Sequence, residues 1–368
     1  MYPPRATRCG STPGREDRTC RIGIVKRVAA VIAILSGFMV GAASAAVIIP
    51  THIAAQRNLV ASSAANTNTS ISSSLASQAA QGISLMFWGT TCHPANPGST
   101  MTVSPCIYGQ TSASTTVDVF GDSFAQMLVP ALNQIGTTYH VKFVVLSRTG
   151  CSAFAAPVAN QNDAGCDAWR ANAVAYIKSS APSAVIVDSI IRWPLMPNGT
   201  GYTWPAWRNY VAATMSAFPA SILPILLTGT PGATLDPSSC VPLHASKVSL
   251  CNTAVSAAYT PFMAQSISAA TTAGAAVINV QSLLCTATTC PAVINGMLVH
   301  AEAQHLSSAM SAAMGPAIGD TLGCVGLLAP MATGGAPALR QVGSQIGVTE
   351  SATTCRASGL VTVPTNIR

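Results

Sequence analysis

The chain has 368 residues, only 8% of them charged, and a formal net charge of +7. Seven basic residues against Glu16 and Asp17 put +5 of that charge before residue 28 and leave +2 for the rest, so the body has no basic stripe and nucleic acid is excluded as the expected partner. Nine acids lie beyond residue 27, which makes the list of candidate catalytic carboxylates short.

Residues 1–27 form a basic head. Residues 28–49 carry no charge and are long enough to cross a hydrocarbon core of about 30 Å. The charge asymmetry places the head in the cytoplasm and the remainder outside. The small residues at 41–45 also resemble a signal-peptidase site, and cleavage there would release the body. The long head and the apolar run past Ala45 favour an uncleaved single-pass anchor. Residues 50–114 follow as a Ser/Ala-rich stretch, expected to be a flexible stalk over 51–82, and a lead-in loop holding Cys92 and Cys106. Ten cysteines beyond the head, an even number in an exported chain, read as disulfides. Each neighbouring pair brackets a Gly-, Pro- or Ser/Thr-containing loop. The expected bonds are Cys92–Cys106, Cys151–Cys166, Cys240–Cys251, Cys285–Cys290 and Cys324–Cys355. No pair has C-x₂-C spacing and no histidine cluster accompanies them, so no metal is expected.

From residue 115 strands and helices alternate. Residues 115–120 are β-branched and aromatic, a buried strand. Gly121-Asp122-Ser123 follows directly, and apolar residues at 124, 127, 128, 131, 132 and 135 then mark one helix face. Further strands are predicted at 140–146, 184–189, 222–228 and 276–280. Helices are predicted at 167–179, 204–218, 260–272 and from Ser307 onward. This alternation predicts an α/β domain over 115–320 with a roughly five-stranded parallel sheet covered by helices on both faces. Ligands bind such sheets at the carboxyl ends of strands, where Ser123 falls. A Gly/Ala-rich tail, 321–368, closes the chain.

Gly121-Asp122-Ser123 reads either as a turn with an N-cap or as a strand-to-helix junction presenting a serine nucleophile. A nucleophile of this kind needs a base, and the base an orienting group. Glu302 lies three residues before His305, close enough on a tight turn to reach Nδ1–H. The alternative reading has His305 merely preceding Ser307, the N-cap of the next helix.

Together the two stretches resemble the SGNH (GDSL-type) hydrolase superfamily, and more closely the SGNH domain attached to bacterial acyltransferase-3 membrane proteins. The similar pieces are Gly150-Cys151, Cys166-Asp167-Ala168-Trp169, Val185-Ile186-Val187 followed by Arg192-Trp193, Pro231 with Cys240, and Cys285 through Cys290-Pro291-Ala292-Val293 to His305-Leu306-Ser307. The resemblance implies a three-layer flavodoxin-like fold. It implies Ser123 as nucleophile, His305 as base, and Glu302 as orienting acid where the family usually has Asp. The main-chain N–H groups of Ser123 and Gly150 would form an oxyanion hole. The Gly-x-Asn-Asp block of typical superfamily members is missing; Asp188-Ser189-Ile190-Ile191-Arg192-Trp193 stands in that region. Arg192 is a candidate replacement donor, with pairing to Asp188 as the alternative. Trp193, Trp204 and Trp207 are candidate sugar platforms, with core packing as the alternative for each.

The expected function is an extracytoplasmic serine acyltransferase or esterase. It would move a short acyl group, acetyl by expectation, on or off a cell-surface glycan through an acyl-Ser123 intermediate, without a cofactor. Because the multi-span acyltransferase-3 domain is absent, the acyl donor would come from solution or from a separate membrane protein. The competing expectation is a degenerate SGNH fold acting as a glycan-binding or accessory subunit.

Overall fold

The structure, a computed structural model, describes residues 51–88, 103–156, 164–190, 203–255, 259–328 and 359–363. The basic head, the apolar segment 28–49, Arg192 and Trp193 lie outside the described residues, among which no helix is long and apolar enough to cross a membrane. The main elements in chain order begin with α1 (Thr51–Ala65), α2 (Ser73–Ala79), β1 (Cys106–Gly109), β2 (Thr116–Gly121), α3 (Ser123–Met127), α4 (Val129–Tyr139), β3 (Lys142–Ser147) and α5 (Ala164–Ser180). They continue with β4 (Ala184–Asp188), α6 (Trp204–Met215), β5 (Leu223–Leu227), α7 (Pro237–Leu243), α8 (Tyr259–Thr272), β6 (Ala276–Ile278), α9 (Ser308–Cys324) and β7 (Val361–Thr362).

One sheet runs in the order β1-β3-β2-β4-β5-β6-β7. The five strands β2 to β6 are parallel, as the alternation predicts, and their spatial order is that of a flavodoxin-like sheet. Strand order reverses between β2 and β4, so the carboxyl end of β2 borders the crevice where such folds bind ligands.

Residues alternate across the strands. Val117, Val119, Phe143, Val145 and Ile186 face one buried layer with α1, α4 and α9. Phe120, Val144, Leu146, Val185 and Val187 face the other, against Trp169, Ala173 and Ile177 of α5 and Trp207, Val211 and Met215 of α6. This two-sided burial explains why the strands read as continuous apolar runs.

Two features differ from the sequence-based expectations. The sheet gains antiparallel edge strands, β1 on β3 and β7 on β6, which are too short to show a period in sequence. The stretch expected to be a flexible stalk instead holds α1 and α2. Ile53, Gln56 and Val60 share one face of α1 and are buried, and α1 packs on α9. Asp320 of α9 accepts from the main-chain N–H groups of His52 and Ile53, satisfying donors that a helix start leaves open. Gln56 Nε2 donates to the Leu283 carbonyl at 2.8 Å. In α2, Leu75 and Ala79 pack into a small cluster with Cys240 and Val241 of α7. A Ser/Ala-rich composition hides so narrow an apolar stripe.

Disulfides join Cys151–Cys166, Cys240–Cys251 and Cys285–Cys290. Cys106 and Cys324 are also disulfide-bonded; their expected partners, Cys92 and Cys355, lie outside the described residues.

Candidate active site

The site grows from the end of β2. Gly121 pairs in register with Ser147 of β3 and Asp188 of β4. A Cβ on Gly121 would sit 1.7 Å from the Asp188 carbonyl oxygen, so the backbones approach too closely for any other residue. Asp122 then caps α3: Oδ1 accepts from Phe124 N–H at 2.9 Å. Its Oδ2 accepts from Ile190 N–H at 3.1 Å, and the Ser189 hydroxyl also bonds this carboxylate. Asp122 therefore fastens the segment after β4 to the turn that presents Ser123. Burial raises its pKa, and these donors work against that rise.

Ser123 opens α3, and Oγ–H donates to His305 Nε2 at 2.7 Å across 182 residues of sequence. His305 Nδ1–H donates to Glu302 Oε1 at 2.5 Å. The same oxygen accepts the main-chain N–H of His305 at 2.8 Å and of Gln304 at 3.0 Å. With Nδ1 carrying the proton, Nε2 is the acceptor, which is the tautomer a base needs. Burial works to raise the Glu302 pKa, but its hydrogen bonds to His305 and the His305 charge outweigh that and hold it below the ordinary carboxylate range.

The loop carrying Glu302 and His305 is clamped on several sides. Ala301 N–H donates to the His305 carbonyl, Ala233 N–H donates to the Ala303 carbonyl, and the Phe124 ring lies 5.4 Å from the imidazole. Ser307 accepts from Met310 N–H as the N-cap of α9 and donates to the Leu298 carbonyl. The capping role of Ser307 and the triad-like role of His305 coexist two residues apart.

Gly150 sits in a tight turn after β3 with φ +72°, a left-handed conformation that favours glycine. Cys151 N–H closes that turn onto the Arg148 carbonyl, and Arg148 N–H binds the Gly121 carbonyl, tying the turn to the end of β2.

Gln126, which the sequence analysis passed over, joins the parts. Its side chain is buried, Oε1 accepts from the Thr149 hydroxyl at 3.2 Å, and Nε2 donates to the Trp88 carbonyl at 2.5 Å. The only sequence signal for it is its position one helical turn after Ser123.

Other candidates fall elsewhere. Asp188 is buried, neither carboxylate oxygen has a hydrogen-bond partner among the described residues, and burial followed by nearby Asp122 holds its pKa well above the ordinary range. Trp207 is not an open platform: it is buried, and Nε1–H donates to Ser266 Oγ at 2.9 Å. Trp204 stays half exposed against the Phe262 ring, with centroids 4.3 Å apart. Asp320 pairs with His52 at 3.1 Å. Among the described residues no group of three or more His, Cys, Asp or Glu side chains could hold a metal.

Residues 91–320 match the family described as SGNH domain (fused to AT3 domains). Among solved structures the chain is similar to the periplasmic domain of a lipopolysaccharide acetyltransferase from Salmonella ser. Paratyphi A. That likeness has a TM-score of 0.50 and 12% sequence identity, and covers 58% of this chain and 86% of that one. At that identity it is a likeness of fold. No curated protein matches.

Proposed function

The chain belongs to the family of SGNH domains found fused to AT3 domains, and from that premise we propose that it is an extracytoplasmic serine acyltransferase or esterase. It moves a short acyl group, acetyl in the simplest case, on or off cell-surface carbohydrate. The observation that carries this reading is the continuous hydrogen-bonded chain from Ser123 Oγ through His305 to Glu302. As Oγ attacks the acyl carbonyl, His305 Nε2 takes its proton, and Glu302 stabilises the imidazolium and keeps the ring oriented. Charge developing on the carbonyl oxygen would be met by the main-chain N–H groups of Ser123 and Gly150. Collapse of the tetrahedral intermediate passes the proton from His305 to the leaving oxygen and leaves acyl-Ser123. A sugar hydroxyl or water, deprotonated by His305, then attacks the ester and releases Ser123.

In this reading residues 28–49 anchor the chain and a separate membrane protein supplies the acyl group. The disulfides support an oxidising location. The missing Gly-x-Asn-Asp block favours the second reading, a catalytically degenerate glycan-binding or accessory subunit. Treatment of the full chain with a fluorophosphonate separates them. One adduct on Ser123, lost in Ser123→Ala, supports the enzyme. An intact mass without adduct supports the binding subunit.

A further inference from the structure

Trp88 is one of few large apolar side chains exposed among the described residues, with 40% of its surface open. Its single polar atom is already engaged, because Nε1–H donates to the Ile83 carbonyl at 3.0 Å. The indole is thereby held in place with a ring surface open and no donor left to offer. Its carbonyl accepts from Gln126 Nε2, and Gln126 Oε1 accepts from the Thr149 hydroxyl. Gln126 lies three residues after Ser123 on α3, and residues so spaced are neighbours on a helix surface. Thr149 adjoins Gly150. One buried side chain thus ties the main chain at Trp88 to the nucleophile helix and to the residue before Gly150, while the ring itself is held by the Ile83 carbonyl.

We propose that Trp88 is the stacking wall of the acceptor site and receives the apolar face of a neutral pyranose ring, with Gln126 as the positioning residue that ties the Trp88 main chain to the helix opened by Ser123. The proposal rests on the acyl-transfer reading above and names the substrate class of that site. A satisfied indole N–H leaves stacking, rather than hydrogen bonding, as the contact the ring can make, and a sugar ring's C–H face suits an aromatic surface. The +2 charge of the body supplies no strong field for an anionic ligand. Trp204, the other exposed tryptophan among the described residues, lies on α6 with its ring against Phe262.

Binding can be read without turnover. The full chain carrying Ser123→Ala, in detergent micelles, is titrated with maltotetraose and with N-acetylchitotetraose by calorimetry and by indole emission. At least one oligosaccharide is expected to bind. Adding Trp88→Ala should weaken it about tenfold or more, and Trp88→Phe, which keeps a ring, by only about threefold. Trp204→Ala should bind like the parent. Equal affinity for parent and Trp88→Ala would overturn the proposal. So would binding of neither sugar, or a Trp88→Ala defect confined to a decanoate probe, which would make the wall an acyl-chain contact. Fluorophosphonate labelling of Ser123 tests the underlying enzyme reading separately, so either can fail alone.

Discussion

Glu302 and His305 are joined twice through one atom. Oε1 of Glu302 accepts both the main-chain N–H of His305 at 2.8 Å and its ring Nδ1–H at 2.5 Å. The carboxylate that shapes the turn is therefore the one that orients the imidazole, and neither task can be disturbed without the other.

Ser123→Ala and His305→Ala should each lower turnover of p-nitrophenyl acetate by several orders of magnitude, with thermal melts close to the parent's. Initial rates and circular dichroism check this. Full activity in Ser123→Ala would remove the serine-enzyme reading.

Glu302→Gln should cost about 10²- to 10⁴-fold in kcat. An acceptor for Nδ1–H remains, but the charge that stabilises imidazolium is gone. Asp320→Asn should stay within about twofold of the parent, since Asp320 serves the start of α1 rather than His305. Reversal of these two results would reassign the third member.

The same residue shapes acid stability. The native pKa of Glu302 is depressed below 4.5, so its contribution is present above that ordinary value and is lost as pH falls through the lower native one. Glu302→Gln should flatten the acid limb of Tm against pH. An unchanged acid limb would contradict the depressed value.

Asp118 behaves oppositely. It is buried on β2, and its pKa is raised from 3.8 to about 6 by burial, with the Ser180 hydroxyl and Lys142 working the other way. The native state keeps this proton to higher pH than the unfolded chain, so stability from this group falls as pH rises from 3.8 to about 6 and is level above that. Asp118→Asn should match the parent near pH 4 and melt roughly 2–6 °C higher near pH 7.5. A lower Tm at pH 7.5 would overturn it.

Peptide mapping without reduction should recover Cys92–Cys106 and Cys324–Cys355 beside the three bonds already described. Removing Cys151–Cys166 by paired serine substitution should cost about 2–4 kcal/mol and reduce activity, because the bond starts one residue after Gly150. A bond between Cys151 and Cys285 on the map would contradict the neighbour pairing.

What the amino-acid sequence determined by itself is what is local. Apolar runs separated by helical periods placed β2 to β6 to within a few residues. Gly121-Asp122-Ser123 marked a strand-to-helix junction, and Glu302 stood close enough to His305 on a tight turn to reach it. The tertiary structure decided the geometry of what depends on partners distant along the chain; the pairing of Ser123 with His305 was expected only from the family resemblance. Ser123 meets His305 across 182 residues, and no pattern at either end encodes the 2.7 Å between them. Helix α1 is held by a carboxylate on α9, the edge strands exist only through the strands they pair with, and Gln126 draws Trp88 and Thr149 to one helix. Such contacts carry no period, because each is a single side chain meeting a backbone or hydroxyl group that folding brings within reach.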